Sequence, residues 1–128
     1  MFKIILAVKK RSDISTEEFK NYYEQKHTAL IKAMVPDALL YRRNYILNGA
    51  EIAGIPGTSS AEAGFDCFTE IGFETREQAE AHIAAYLDAE KNPVIVADEA
   101  KFIEPNGLKF FIVEAHQSRD LIATPGAF

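Results

Sequence analysis

Three histidines, one cysteine and a scatter of tyrosines and carboxylates are the groups in this 128-residue chain that could move a proton or attack a substrate. His27 stands out because of its neighbours. Phe19, Tyr23, His27, Leu30, Ile31 and Met34 recur at the three- and four-residue steps that share one side of a helix, while Glu17, Lys20, Asn21, Glu24 and Lys32 take the other. The spacing points His27 inward, one turn after Tyr23. An imidazole titrates near neutral pH and serves as general acid or base without a cofactor, provided something orients its second nitrogen. The same position also suits a core histidine satisfied by its surroundings, so two roles are open to it. Tyr23 could hold a substrate oxygen or donate a proton.

Asp98 is the second candidate after His27. Inside an otherwise apolar short helix it could orient an imidazole or act as a base; alternatively it forms an exposed pair with Lys101 at three-residue spacing. Tyr41 and Arg43 share one face of a strand pattern, and Arg42 and Asn44 the other. We take Arg43 as the inward member, able to pair with an anionic or phenolic group. Phe102 and Tyr41 complete the expected substrate-binding set. Cys67 sits in a strand pattern with no histidine within a few residues and reads as a small buried side chain. His27, His82 and His116 lie on separate elements without paired ligand spacing, so no metal is expected. A lone histidine is a poor basis for haem, and no glycine-rich phosphate loop is present, so no cofactor is expected.

The elements that must position these groups follow from periodicity and capping. Residues 2–9 form a nearly continuous apolar run, a strand covered on both faces. Ser15 with Glu18 makes a capping box that starts a helix ending near Met34 or Val35, because Pro36 disfavours helical geometry before it. Residues 39–47 alternate as a second strand, residues 48–64 read as a long loop carrying four of the seven glycines, and residues 65–73 alternate as a third strand. Thr75 with Gln78 caps a second helix carrying Ala79, Ile83, Tyr86 and Leu87, with His82 on its edge. Asn92-Pro93 opens a further helical segment, Asn92 as the cap. Glu104 to Gly107 is turn chemistry, Leu108 to His116 the fourth strand, and residues 117–128 a tail.

This order predicts an α+β, ferredoxin-like (βαββαβ) fold: a four-stranded antiparallel sheet with both helices on one face, in one domain over residues 1–116. Strands apolar on both sides leave a second sheet surface, including some of Phe2, Ile4, Phe68, Phe110 and Ile112 or their alternates, that two helices cannot cover. Two such sheets facing one another about a twofold axis would close a barrel, so a homodimer is expected. A net charge of −5, with Lys9-Lys10-Arg11 the only basic run, argues against a nucleic-acid partner. No window approaches a membrane span, and the first ten residues lack a basic region before their short apolar run, against a secretory signal. With the single cysteine, this predicts a cytoplasmic location.

The strand Phe2-Lys-Ile-Ile-Leu-Ala-Val-Lys, the run Ser-Thr-Glu-Glu-Phe with Tyr22-Tyr23 and His27-Thr28-Ala29-Leu30, and the later Asp98-Glu99-Ala100-Lys101-Phe102 resemble the EthD-like branch of the dimeric α+β barrel superfamily. The likeness spans roughly residues 2 to 115. The family commonly has Tyr-Trp at Tyr22-Tyr23 and His-Ala-Pro-Leu at His27-Thr28-Ala29-Leu30. The resemblance implies a cytoplasmic homodimer with a small-molecule cavity between sheet and helices. Its namesake looks like an accessory to oxidative ether degradation, and similar proteins include dehydratases or decarboxylases of polyketide-like aromatics. Two functions stand side by side: a cofactor-independent lyase, dehydratase or oxidoreductase acting on a hydrophobic small molecule, with His27, Tyr23 and Asp98 as its catalytic groups, or a non-catalytic accessory protein that binds a metabolite. The discriminating feature is what His27 bonds to and whether it faces a cavity.

Overall fold

The computed structural model describes residues 1–47, 51–52 and 54–118. Its main sheet joins β1 (Phe2–Lys10), β2 (Leu40–Tyr45), β5 (Cys67–Phe73) and β6 (Ile103–Glu114) in the order β2-β5-β1-β6, antiparallel throughout. The strand that reads as a nearly continuous apolar run, β1, is central together with β5, and each is paired on both edges. The predicted ferredoxin-like α+β architecture is therefore present.

Register decides which residues meet the helices. Ile4 lies opposite Ile71 and Ile112, Leu6 opposite Thr69 and Phe110, and Val8 opposite Cys67 and Leu108. Directly paired residues share a face. This face buries Ile4, Val8, Cys67, Ile71 and Phe73 against the helical layer. The opposite face carries Ile5 across from Glu70 and Phe111, and Ala7 across from Phe68 and Lys109. Phe68 and Phe111 stay 36% and 51% exposed. Phe2, Ile4, Phe110 and Ile112 do not lie on this open face: they alternate with Ile5 and Phe111, and the strand's two-residue period sends them toward the helices. Lys3, Arg42 and Asn44 surround Glu70 there, with Lys3 Nζ 2.8 Å from Oε1 and Asn44 Nδ2 2.9 Å from Oε2.

The first helical segment runs as α1 (Thr16–Tyr22), a single π-helical turn (Tyr23–His27) and α2 (Thr28–Met34). The Ser15–Glu18 capping box is formed. Phe19, Tyr23, His27, Ile31 and Val35 are all buried at successive four-residue steps. In a regular α-helix each such step drifts by about 40°. The wider π turn takes up part of that drift in the middle of the run, which keeps all five side chains on the sheet.

Three local expectations need correction. Residues 48–64 are not featureless: among the described ones β3 (Glu51–Ile52) pairs with β4 (Ile55–Pro56), and Ser59 with Glu62 caps a one-turn helix, α3 (Ser60–Ala63). Residues 48–50 and 53 lie outside the described residues, as do 119–128 of the expected tail. The second expected helix is α4 (Arg76–Tyr86), capped by Thr75 and Gln78 as predicted, and the third is α5 (Asn92–Glu99). Asn92 does not cap α5, because its side-chain amide donates to the Tyr86 carbonyl and Lys91 takes the cap position. Finally, Glu104–Gly107 does not separate α5 from the last strand. β6 starts at Ile103, and the turn residues bulge out between the pairs Val8–Leu108 and Lys10–Ile103. Asn106 takes a left-handed φ of 59° there, and a Cβ on Gly107 would stand 2.7 Å from the Glu104 carbonyl.

Phe19 has no exposed surface and meets Tyr23, Tyr45 and Phe102 ring to ring. Phe19→Ala should therefore cost about 3–5 kcal/mol, read as a lowered urea midpoint; a loss under about 1 kcal/mol would show that this aromatic cluster is not the core.

Candidate functional site

The π turn and α5 meet at a carboxylate. Asp98 accepts hydrogen bonds on both oxygens: the Tyr22 hydroxyl donates to Oδ1, and His27 Nδ1 lies 2.8 Å from Oδ2. Lys101, the expected surface partner, reaches only to 4.0 Å. Asp98 thus joins the first helix to the third. With Nδ1–H committed to the carboxylate, the neutral imidazole keeps its lone pair on Nε2. His27 is 4% exposed, and its ring packs 4.9 Å from that of Phe102. Burial pushes its pKa below the ordinary histidine value, and Asp98 opposes the shift. The Tyr22 phenol is raised to about 12 by burial and by Asp98.

His27 lines a partly open cavity of about 330 Å³ between the sheet and the helices. Its walls are apolar: Ile4, Leu6 and Ile71 from the sheet, Ile31 and Ile83 from the helices, and half-exposed Phe110 and Ile112 on β6. The polar groups that converge on it are His27, Tyr41, His82, Tyr86 and Glu99. A more open groove of about 650 Å³ beside Arg11 and Asn106 shares only Glu99 with this cavity and has no histidine.

The other expected site residues separate. Tyr41 lines the cavity, and burial raises its phenol well above the usual range. Tyr23 does not line it. The tyrosine is buried among Phe19, His27 and Phe102, and its hydroxyl lies 2.5 Å from Thr69 Oγ1. Phe102 is likewise fully buried behind His27 and outside the cavity lining. Arg43 shares the inner face with Tyr41, as read from the alternation, but its guanidinium is spent on Glu24: Nε and Nη2 donate to the two carboxylate oxygens at 2.8 and 2.7 Å. Nη1 donates to the Tyr41 carbonyl at 3.0 Å, and the guanidinium sits 4.7 Å from the Tyr41 ring centre. It buttresses Tyr41 from outside the cavity.

Sequence reasoning passed over Glu99. Burial raises its carboxyl from 4.5 to about 7, the Tyr86 hydroxyl, donating at 2.8 Å, opposes the shift, and Asp98 adds to it. A signal was present: Ile95, Glu99 and Phe102 follow at four- and three-residue steps, which puts Glu99 on the buried side of α5. The cavity thus holds a neutral imidazole and a carboxyl poised near neutrality, a pair suited to taking a proton from one atom and returning one to another. Among the described residues no group of three His, Cys, Asp or Glu is placed to hold a metal ion, and no helix is long and apolar enough to cross a membrane.

An antiparallel sheet with its helices on one face and a cavity between the layers defines the class, a ferredoxin-like α+β protein. The family follows from the chain itself: residues 11–106 match the EthD domain, and the chain belongs to that family. No curated protein matches it. Among solved structures it is similar to an EthD-like protein of Ralstonia eutropha, with 18% identity over 93% of this chain and 96% of the other and a TM-score of 0.61. It is also similar to an ethyl tert-butyl ether D (EthD) family protein of Bacillus halodurans, at 15% identity, 91% and 100% coverage and a TM-score of 0.58. A dimeric protein of unknown function with a ferredoxin-like fold from Bacteroides fragilis matches at 14% identity, 89% and 95% coverage and a TM-score of 0.52.

The raised Glu99 pKa carries a sign. Between 4.5 and about 7 the folded chain holds a proton that the unfolded chain releases. The stability from this group is complete below that window and lost as pH rises through it. Glu99→Gln should therefore stabilise the protein by up to about 3 kcal/mol near pH 8 and by little near pH 4, measured by urea unfolding at the two pH values. An equal gain at both would show that Glu99 ionises normally.

Proposed function

We propose that this EthD-family protein binds an uncharged, hydrophobic, aromatic or polyketide-like compound and catalyses proton transfer on it, as a cofactor-independent lyase or dehydratase. The observation that carries the reading is that His27 lines an apolar cavity while Asp98 holds its Nδ1. Nε2 is the base. It takes a proton from a carbon beside a substrate carbonyl, and the Glu99 carboxyl supplies one to the carbonyl oxygen or to a departing hydroxyl. Asp98 and Tyr22 keep the imidazole in the required tautomer. Tyr23 and Phe102 hold the ring in place, and Tyr41 offers its phenol to a substrate oxygen. Because Arg43 is neutralised by Glu24 and, among the described residues, no lysine or arginine lines the cavity, an anionic ligand would find no fixed cation there to pair with.

The probe 2-tetralone, an enolisable bicyclic ketone, tests this without the natural substrate. The wild-type protein should accelerate exchange of its C1 protons with D2O, followed by NMR, and His27→Ala should lose about 100-fold or more of that rate with an unchanged circular dichroism spectrum. Binding without accelerated exchange would instead favour a non-catalytic, metabolite-binding protein.

We further propose that the chain forms a homodimer through its open sheet face. The half-exposed Phe68 and Phe111 support this, as does the dimeric state of a similar protein. Sedimentation equilibrium at micromolar concentration should give twice the chain mass of 14.3 kDa; a species of the single mass would refute the pairing.

A further inference from the structure

The proposed chemistry does not use two polar groups of this cavity, Tyr86, whose hydroxyl is committed to Glu99, and His82. His82 sits on α4 between Ala79 and Ile83, is 6% exposed, and packs edge-on to Phe73 at 5.2 Å. Its Nδ1 is buried without a partner. In the tautomer that carries its proton on Nε2, Nδ1 is a bare acceptor. Nδ1 is also the one buried side-chain nitrogen or oxygen among the described residues that finds no hydrogen bond. An apolar side chain of similar size would fill the same space without that loss, so packing alone does not account for the imidazole.

Its position suggests what does. The cavity holding His27 abuts a second one of about 210 Å³ that reaches Lys32, Pro36 and Asp37, and Ile31, Tyr41, Ile71 and His82 belong to both. Because the His82 ring forms part of both walls, a ligand that spans the two cavities lies against the ring whose Nδ1 has no partner.

We infer that His82 is a specificity-determining residue whose Nδ1 accepts a hydrogen bond from a hydroxyl of the ligand at the wall shared by the two cavities. The inference rests on the ligand-binding reading and sharpens it: the ligand must carry a hydroxyl donor, not only carbonyl oxygens. A compound lacking that group leaves Nδ1 unpaired and is discriminated against.

The probes are naphthalene and 2-naphthol, which differ by one hydroxyl, with binding to the intact protein followed by fluorescence. Wild type should bind 2-naphthol more tightly, and His82→Phe should reduce that preference about tenfold while keeping its affinity for naphthalene. A preference unchanged in the variant would overturn the inference, since another group would then be the acceptor. A second measurement needs no variant: the nitrogen resonance of His82 Nδ1 in wild type should move on adding 2-naphthol and not on adding naphthalene. If it stays put with 2-naphthol bound, the inference fails while the cavity reading stands. If neither probe binds wild type, the cavity reading fails and takes the inference with it.

Discussion

The site depends on one carboxylate with two claims on it. Asp98 accepts from Tyr22 and from His27, and so ties α5 to the helix that starts at Ser15. Beside that bond the ring of Phe102, just beyond α5, packs against those of Tyr22 and His27. A carboxylate satisfied at both oxygens is also a fixed one, and a fixed carboxylate selects a single histidine tautomer. The cavity's chemistry thus begins outside the cavity.

The π turn is the backbone counterpart of that bond. Five buried side chains at four-residue spacing cannot all face a flat sheet from a regular α-helix, and the widened turn between Tyr23 and His27 resolves the mismatch where the functional candidate lies. Once His27 is pinned, the sheet supplies the rest. Ile4, Leu6 and Ile71 give an apolar floor, and the helices leave β6 partly uncovered, so Phe110 and Ile112 remain half-exposed beside the space. Low polarity in that space raises Glu99 and lowers His27 and His82, which favours the uncharged form of one acid and two bases by the same physical cause.

Much of this was legible in the residues. The capping boxes at Ser15 and Thr75 located two helix starts, because a hydroxyl and a carboxyl or amide three residues apart satisfy the orphan amides locally. The alternation in β1, β2 and β5 was equally local. His27 could be named as a candidate from its place on an amphipathic face, and Asp98 as a carboxylate inside an otherwise apolar short helix. What failed were inferences that required knowing a neighbour. Asn92 looked like a cap until the Tyr86 carbonyl took its amide, and Arg43 looked free until Glu24, nineteen residues earlier, came alongside. Glu99 was hidden by the attention its neighbour Asp98 drew, although its spacing from Ile95 and Phe102 pointed inward.

By itself the sequence determined the order and periods of the elements, the faces that must be buried, and an imidazole turned toward the interior, since hydrogen-bond capping and hydrophobic periodicity act over a few residues. The tertiary structure alone decided that Asp98 and His27, seventy-one residues apart, share a proton; that Arg43 is neutralised; and that Tyr23 belongs to the packing while Glu99 and His82 belong to the cavity. These are matters of which side chain meets which across the sheet–helix boundary. Charge pairing and burial depend on distances that no spacing along the chain specifies.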